Sequence, residues 1–169
     1  METITIDKGN AIKAYNQAQG EVKGVLGTLF GVEVLSQNPT ELFDSWADIC
    51  AAAGIDPQLL LPYQQAKTKK EVSLNGAFKL ETIFEEYNKR TGDDYNELWE
   101  ADYANKDQWK YSPYFVWVPS LGAFVFSYTS CTRTGTDLGA RLCTENDDFG
   151  TDIGKKFSKE WNEFLNPQI

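Results

Sequence analysis

Tyr114-Phe-Val-Trp-Val118 and Ala123-Phe-Val-Phe-Ser-Tyr128, joined by Pro119-Ser-Leu-Gly122, decide the fold. Both flanking segments are dense in β-branched and aromatic residues, and the four residues between them suit a tight turn, so the spacing predicts an antiparallel hairpin. The stretch lies in a wider aromatic zone: eleven of the chain's 23 aromatic residues fall between Tyr95 and Tyr128. Beyond it, Arg141 to Cys143 reads as a third strand, and the polar residues Thr129 to Asp137 as the exposed loop leading there.

On the C-terminal side, Phe149, Ile153, Phe157, Trp161 and Leu165 recur every four residues, which predicts an amphipathic helix lying across the sheet. Asn146 or Thr144 caps it, and Asp147 and Asp148 suit its positive first turn. On the N-terminal side a short strand, Thr3 to Ile6, leads through Asp7 as N-cap into a helix carrying Ile12, Tyr15, Val22, Leu26 and Leu29, which Gly31 ends. Gly20, Gly24, Gly27 and Gly31 step along it by four, three and four, the mark of either a close backbone contact or a broken helix. Asn38-Pro39-Thr40 opens a second helix with Leu42, Phe43, Trp46, Ile49 and Cys50 on its apolar side and Gly54 at its end. After a turn at Asp56-Pro57 and a basic connector, Lys67 to Lys70, a long helix carries Val72, Leu74, Phe78, Leu80, Ile83, Phe84 and Tyr87. Helices come first, then a small antiparallel sheet, then a helix packed on it. That order is α+β, in a single domain spanning residues 1–169.

With 169 residues, 41% of them hydrophobic, the chain can bury about 70% of its unfolded surface, so neither a disulfide nor a metal is required to hold a core. Sixteen basic against 25 acidic residues leave a net charge of −9, which repels phosphate backbones and anionic lipid and disfavours direct nucleic-acid or membrane binding. Histidine is absent, and with it the commonest general base near neutral pH, the usual hydrolase triads and the commonest metal ligand. Cys50, Cys131 and Cys143, odd in number and widely spaced, read as reduced thiols rather than ligands. No metal and no cofactor is expected. No signal peptide is visible and no apolar run approaches the roughly 20 residues of a bilayer span, so the expectation is a soluble protein of a reducing compartment.

Asp102-Tyr-Ala-Asn-Lys-Asp-Gln-Trp-Lys-Tyr-Ser-Pro-Tyr-Phe115 resembles a DW-x-N-x-x-Q-x-KYYPWF segment of small uncharacterised proteins from phages and prophages of Bacteroidetes. Gly139-Ala-Arg-Leu-Cys143, with Gly154-Lys-Lys-Phe157, Trp161 and Phe164 at matching offsets, is similar to the GSRLC and GKQF blocks of the same family. Echoes at Cys50 to Ile55 and Ala77 to Leu80 extend the resemblance over roughly Thr40 to Leu165. The chain departs from the pattern at Tyr103, where the family has Trp, in an acidic insertion from Asp93 to Glu100, and at Thr144, where an aromatic is usual. The resemblance implies a viral origin, a shared fold and a place in the infected host's cytoplasm or in the virion. It transfers no catalytic residue.

Paired carboxylates at Glu85-Glu86, Asp93-Asp94 and Asp147-Asp148 could serve acid/base chemistry. Neighbours on a helix point about 100° apart, however, so solvated or capping charges are the stronger reading. Cys143 could be a nucleophile only with a lowered pKa, for which Arg141 is the nearest cation. A structural thiol is expected there, and a structural salt bridge for Arg141. Lys155 and Lys156 are expected to face solvent.

The candidate binding surface is the cluster Tyr103, Asn105, Gln108, Trp109, Lys110, Tyr111 and Tyr114, in which rigid rings with polar handles stand beside adaptable amides. The same rings could instead fill the space between sheet and helix. The expected function is a non-enzymatic phage accessory protein that binds another protein through its aromatic C-terminal half, with the oligomeric state left open. One alternative is an acidic anti-defence inhibitor whose Glu85, Glu86, Asp93, Asp94, Glu97, Glu100 and Asp102 imitate nucleic-acid phosphates. The other is a small enzyme working with carboxylates alone.

Overall fold

Lys110–Val118 (β1) and Ala123–Thr132 (β2) pair antiparallel, from Lys110 opposite Thr132 to Val118 opposite Ala123. The structure is a computed structural model and describes residue 6 and residues 8–56, 61–92, 95, 97–135 and 141–169. Thr3, Asp7, Pro57, Asp93, Asp94 and Gly139, on which some of the expectations fall, lie outside that set. Gly122, at φ +59, completes the hairpin turn where an L side chain would be strained, and its N–H and that of Leu121 donate to the Val118 carbonyl. β2 runs on through Thr132 and takes up residues expected in a loop, because small hydroxylated side chains sit well in a strand once a partner lies beside them. Ser127 is the extra residue of a bulge between the Tyr114–Tyr128 and Phe115–Phe126 pairs.

The third strand is a correction. Among the described residues the sheet has two strands, and Arg141 to Cys143 joins neither; the isolated bridge nearby is that of the next residue, Thr144, to Tyr111. Leu142, Cys143 and Thr144 are all buried in succession, so this segment is covered on both sides.

The helical half comprises α1 (Lys8–Gln17), α2 (Gly20–Phe30), α3 (Val32–Leu35), α4 (Pro39–Leu42), α5 (Trp46–Ala53) and α6 (Lys69–Asn88). After the sheet come α7 (Asp147–Lys156) and α8 (Ser158–Leu165). Three helices expected to be continuous are each broken. The first parts between Gln17 and Gly20, so the glycine series belongs to a broken helix: Gly20 and Gly24 have open space where a Cβ would sit, and Gly27 lies against Val32. The second parts at Phe43, which leaves the helix to enter the core, and Ser45 then recaps α5 by accepting from the Asp48 N–H. The third parts at Phe157, also fully buried, with φ −104 and ψ 32. α6 starts within the expected connector because Thr68 and Glu71 form a reciprocal capping box.

The core joins α6 to the sheet and to the C-terminal pair. The Tyr87 ring lies 5.5 Å from Phe43, 5.7 Å from Phe149 and 6.3 Å from Phe157, while Phe115 of β1 packs 4.8 Å from Trp161 of α8. Each such ring, fully buried, contributes on the order of 2–3 kcal/mol. Three glycines allow the layers to meet. Gly150 and Gly154, one turn apart on α7, lie under Thr129 and Phe126 of β2. Gly76 of α6 lies against α8, where a Cβ would stand 2.6 Å from the Phe164 amide nitrogen.

Polar side chains complete the assembly. Lys156, expected in solvent, instead donates to the Thr40 and Phe43 carbonyls at 2.7 and 2.9 Å and pairs with Asp44 and Asp152. The amide of Asn162 bonds both the N–H and the C=O of Phe124 at 2.8 Å, closing the outer edge of β2 at that point.

Two outcomes follow from this packing. Gly76→Ala forces α6 and α8 apart and is expected to lower stability by about 2–3 kcal/mol, measured as the shift of a urea midpoint at unchanged m. Glu160 of α8 is buried, and burial, opposed by its own backbone N–H and by Lys79, pushes its carboxyl above the ordinary value of 4.5. A raised folded pKa means that its stabilising contribution is complete below the unfolded value and is lost as pH rises through the folded one. Glu160→Gln is therefore expected to raise Tm at about pH 7 and to leave it nearly unchanged at about pH 4, read from parallel thermal melts.

Candidate functional site

Residues 102–110 double back before β1, and Lys110 accounts for their course. Its side chain points into this loop and is 1% exposed, with the ammonium donating to the Asp102, Gln108 and Asn105 carbonyls at 2.5, 2.9 and 3.4 Å. The same ammonium lies 5.1 Å from the centroid of the Tyr103 ring. Gln108 fastens the loop's start, accepting from the Asp102 N–H at 2.6 Å and donating to the Glu100 carbonyl at 2.9 Å. Asn105 turns the chain by accepting from the Asp107 N–H at 2.9 Å. Tyr111 is half-buried and exchanges both backbone bonds with Thr144.

The expected cluster is thus divided. Tyr103, Gln108 and Lys110 hold the loop, Tyr111 anchors the strand, and only Asn105, Trp109 and Tyr114 present themselves outward. Trp109 carries the Arg133 guanidinium 4.1 Å above its ring. Tyr114 belongs to a different surface.

That surface is the outer face of the hairpin. Side chains alternate along β1, so Phe115 turns inward to Trp161 while Tyr114 and Val116 turn away from the helices. Their partners across the strand pair are Tyr128 and Val125. Tyr114 and Tyr128, 43% and 52% exposed, stack with centroids 4.8 Å apart and planes at 26°. Val116 and Val125 continue the strip, Leu121 stands exposed at its tip, and Trp117, on the opposite face with Phe124, is left nearly half exposed at the same end. Tyr128, Val125, Val116, Trp117 and Leu121 were not in the sequence-derived cluster. A charge count along the chain would have found them, because the 22 residues from Tyr111 to Thr132 include no Asp, Glu, Lys or Arg in a chain that is 24% charged.

The acidic side of the molecule has another character. Glu86, expected in solvent, is 2% exposed and is held by Lys89 and Arg90 at 2.6 and 2.8 Å, because it lies on the core face of α6 where only paired charge is tolerated. A cleft of about 480 Å³ opens beside it, lined by Glu81, Glu85, Asn88, Trp99, Glu100 and Cys143 among others. At its mouth Arg141 meets Glu81 at 3.6 Å, the expected salt bridge, with the guanidinium in solvent rather than between apolar neighbours. Cys143 does not suit nucleophilic work. Burial pushes its thiol above the ordinary value, against the smaller opposing effects of the Tyr103 hydroxyl and the Lys110 charge. Cys50 is raised for the same first reason. Asp147 and Asp148 occupy the first turn of α7 as expected, and of the two caps the sequence offered, Asn146 and Thr144, Asn146 is the one used. Among the described residues no group of three or more Cys, Asp or Glu converges as metal ligands, and no helix is long and apolar enough to cross a membrane.

No family model, curated protein or solved structure matches the chain.

Lys110→Met keeps the stem of the side chain but removes the donor that the Asp102, Asn105 and Gln108 carbonyls share. The substitution is expected to cost about 3 kcal/mol of stability in urea melts and to speed amide exchange across residues 102–110.

Proposed function

We propose that this chain is a non-enzymatic phage accessory protein that binds another protein through the outer face of its hairpin, in the infected host's cytoplasm or in the virion. The carrying observation is the uncharged strip in which the stacked Tyr114 and Tyr128 and the Val116–Val125 pair stay half-exposed, with no helix of the described residues over them. Aromatic anchors on a rigid strand pair are the groups that dominate protein contacts, and here they interrupt a surface whose net charge of −9 keeps other molecules apart. The viral setting rests on the resemblance of residues 102–115 and of the Cys143 and Phe157 blocks to phage and prophage proteins.

The rival reading, an acidic imitation of nucleic acid, loses one of its members where Glu86 is already neutralised by Lys89 and Arg90. A partner captured from infected cells with the tagged protein separates the two. The Tyr114→Ala, Tyr128→Ala double variant is expected to weaken the complex by about 30-fold or more, and Glu97→Gln with Glu100→Gln by less than about 3-fold. Raising salt from about 0.05 to about 0.5 M should change affinity only mildly, since the contact is apolar. Loss of binding in the acidic variant, with the aromatic variant folded and binding, would replace the first reading with the second.

A further inference from the structure

The two edges of the hairpin are not treated alike. Tyr111 directs its N–H and C=O away from β2, to Thr144, and in an antiparallel ladder every second residue does the same. Pro113, Phe115 and Trp117 therefore turn their backbone groups to the outer edge of β1. The register agrees: Trp117 opposes Phe124, whose own groups turn the other way, to Asn162. On that far edge Asn162 occupies β2, and Asn166 donates to the Gly122 carbonyl nearby. On the β1 edge, among the described residues, nothing bonds the N–H or C=O of Phe115 or Trp117. Natural sheets guard such an edge with a lysine or another charge, and here 22 residues carry none.

We propose that a second copy of this chain occupies this edge, β1 pairing antiparallel with β1 about a two-fold axis at Val116 to give one four-stranded sheet. In that register Phe115 opposes the partner's Trp117, each pair exchanging two backbone bonds, four in all. Val116 meets its own copy across the axis on the outer face. The half-exposed Trp117 ring comes to lie beside the partner's Phe115 on the inner face. Pro113 and Pro119 bound the segment on either side and offer no N–H, so the contact closes as a pair and does not propagate. Charge selects the same place, since two copies that each carry −9 can approach at least cost where neither presents a charge.

Nine residues at about 3.3 Å and two strands about 4.8 Å apart give an outer face of roughly 300 Å² per hairpin, well below the roughly 800 Å² that a standard partner covers. Pairing doubles the continuous face. The inference goes beyond the proposed protein binding, which a monomer could also perform.

Sedimentation at about 0.1 mM tests the pairing first, with twice the 19.1 kDa chain mass expected and a value of 19.1 kDa overturning it. Val116→Lys, a change on an exposed position, is expected to weaken association at least tenfold with an unchanged thermal melt. Cross-linking fixes the geometry. In a Cys131→Ser background, Val116→Cys is expected to form a disulfide-linked dimer under mild oxidation, because its Cα would lie about 4.5 Å from its mate. Val125→Cys, about 14 Å from its mate across four strands, is not. Equal or faster cross-linking through Val125 would mean that hairpin faces stack instead, and the edge pairing would be wrong.

Discussion

A two-stranded hairpin has no stability to spare, and this one stands because α7 presents hydrogen atoms where β2 crosses it. With Gly154 under Phe126 and Gly150 under Thr129, backbone approaches sheet closely enough for Phe115, across the strand pair, to reach Trp161, and for α7 to carry Phe149, Ile153 and Phe157 against Tyr87. A methyl at either glycine would lift the sheet from the layer that gives it an inner face. The sidedness of the protein follows: aromatics on the inner face find the helices, and those on the outer face find only one another.

The α+β order, the hairpin and its turn, the apolar stripes and the cap at Asn146 were legible, because each rests on local spacing. What was not legible has a common cause. Periodicity reports which residues belong inside but not where a helix must stop to put them there, so the breaks at Phe43 and Phe157, where an aromatic leaves the helical path for the core, were invisible. Lys110, Lys156 and Glu86 were misplaced for a related reason. A charged residue is assigned to solvent by its type, whereas its actual place was set by carbonyls or cations that converge only after folding. Of the expected surface cluster, the loop half turned out to be such an internal fastening. Tyr114 survived as surface because its neighbours across the ladder, Tyr128 and Val125, are equally without cover.

Long-range ties in this fold are made by single side chains acting in place of backbone. The amide of Asn75 takes both the N–H and the C=O of Tyr63, at 3.0 and 2.8 Å, as Asn162 does for Phe124. Each amide supplies the donor and acceptor that an adjoining strand would supply, and so fastens an irregular segment to a helix without further secondary structure. The N-terminal helices use a charged version. Burial works against the Glu41 carboxylate, but bonds from Lys23 and Ser36 outweigh it and keep its pKa below the ordinary value, so this junction holds where the rest of the acidic surface repels.

The three thiols occupy three different settings: Cys131 is exposed on β2, Cys143 lies behind the Lys110 loop, and Cys50 is sealed within α5. Their accessibility therefore forms a graded clock. An electrophilic dye meets Cys131 in the native protein, Cys143 when the 102–110 loop opens, and Cys50 only when the helical core itself comes apart. A time course of labelling on the unaltered chain would thus resolve local opening from global unfolding, with a fluorophore at Cys131 placed on β2 three residues beyond Tyr128.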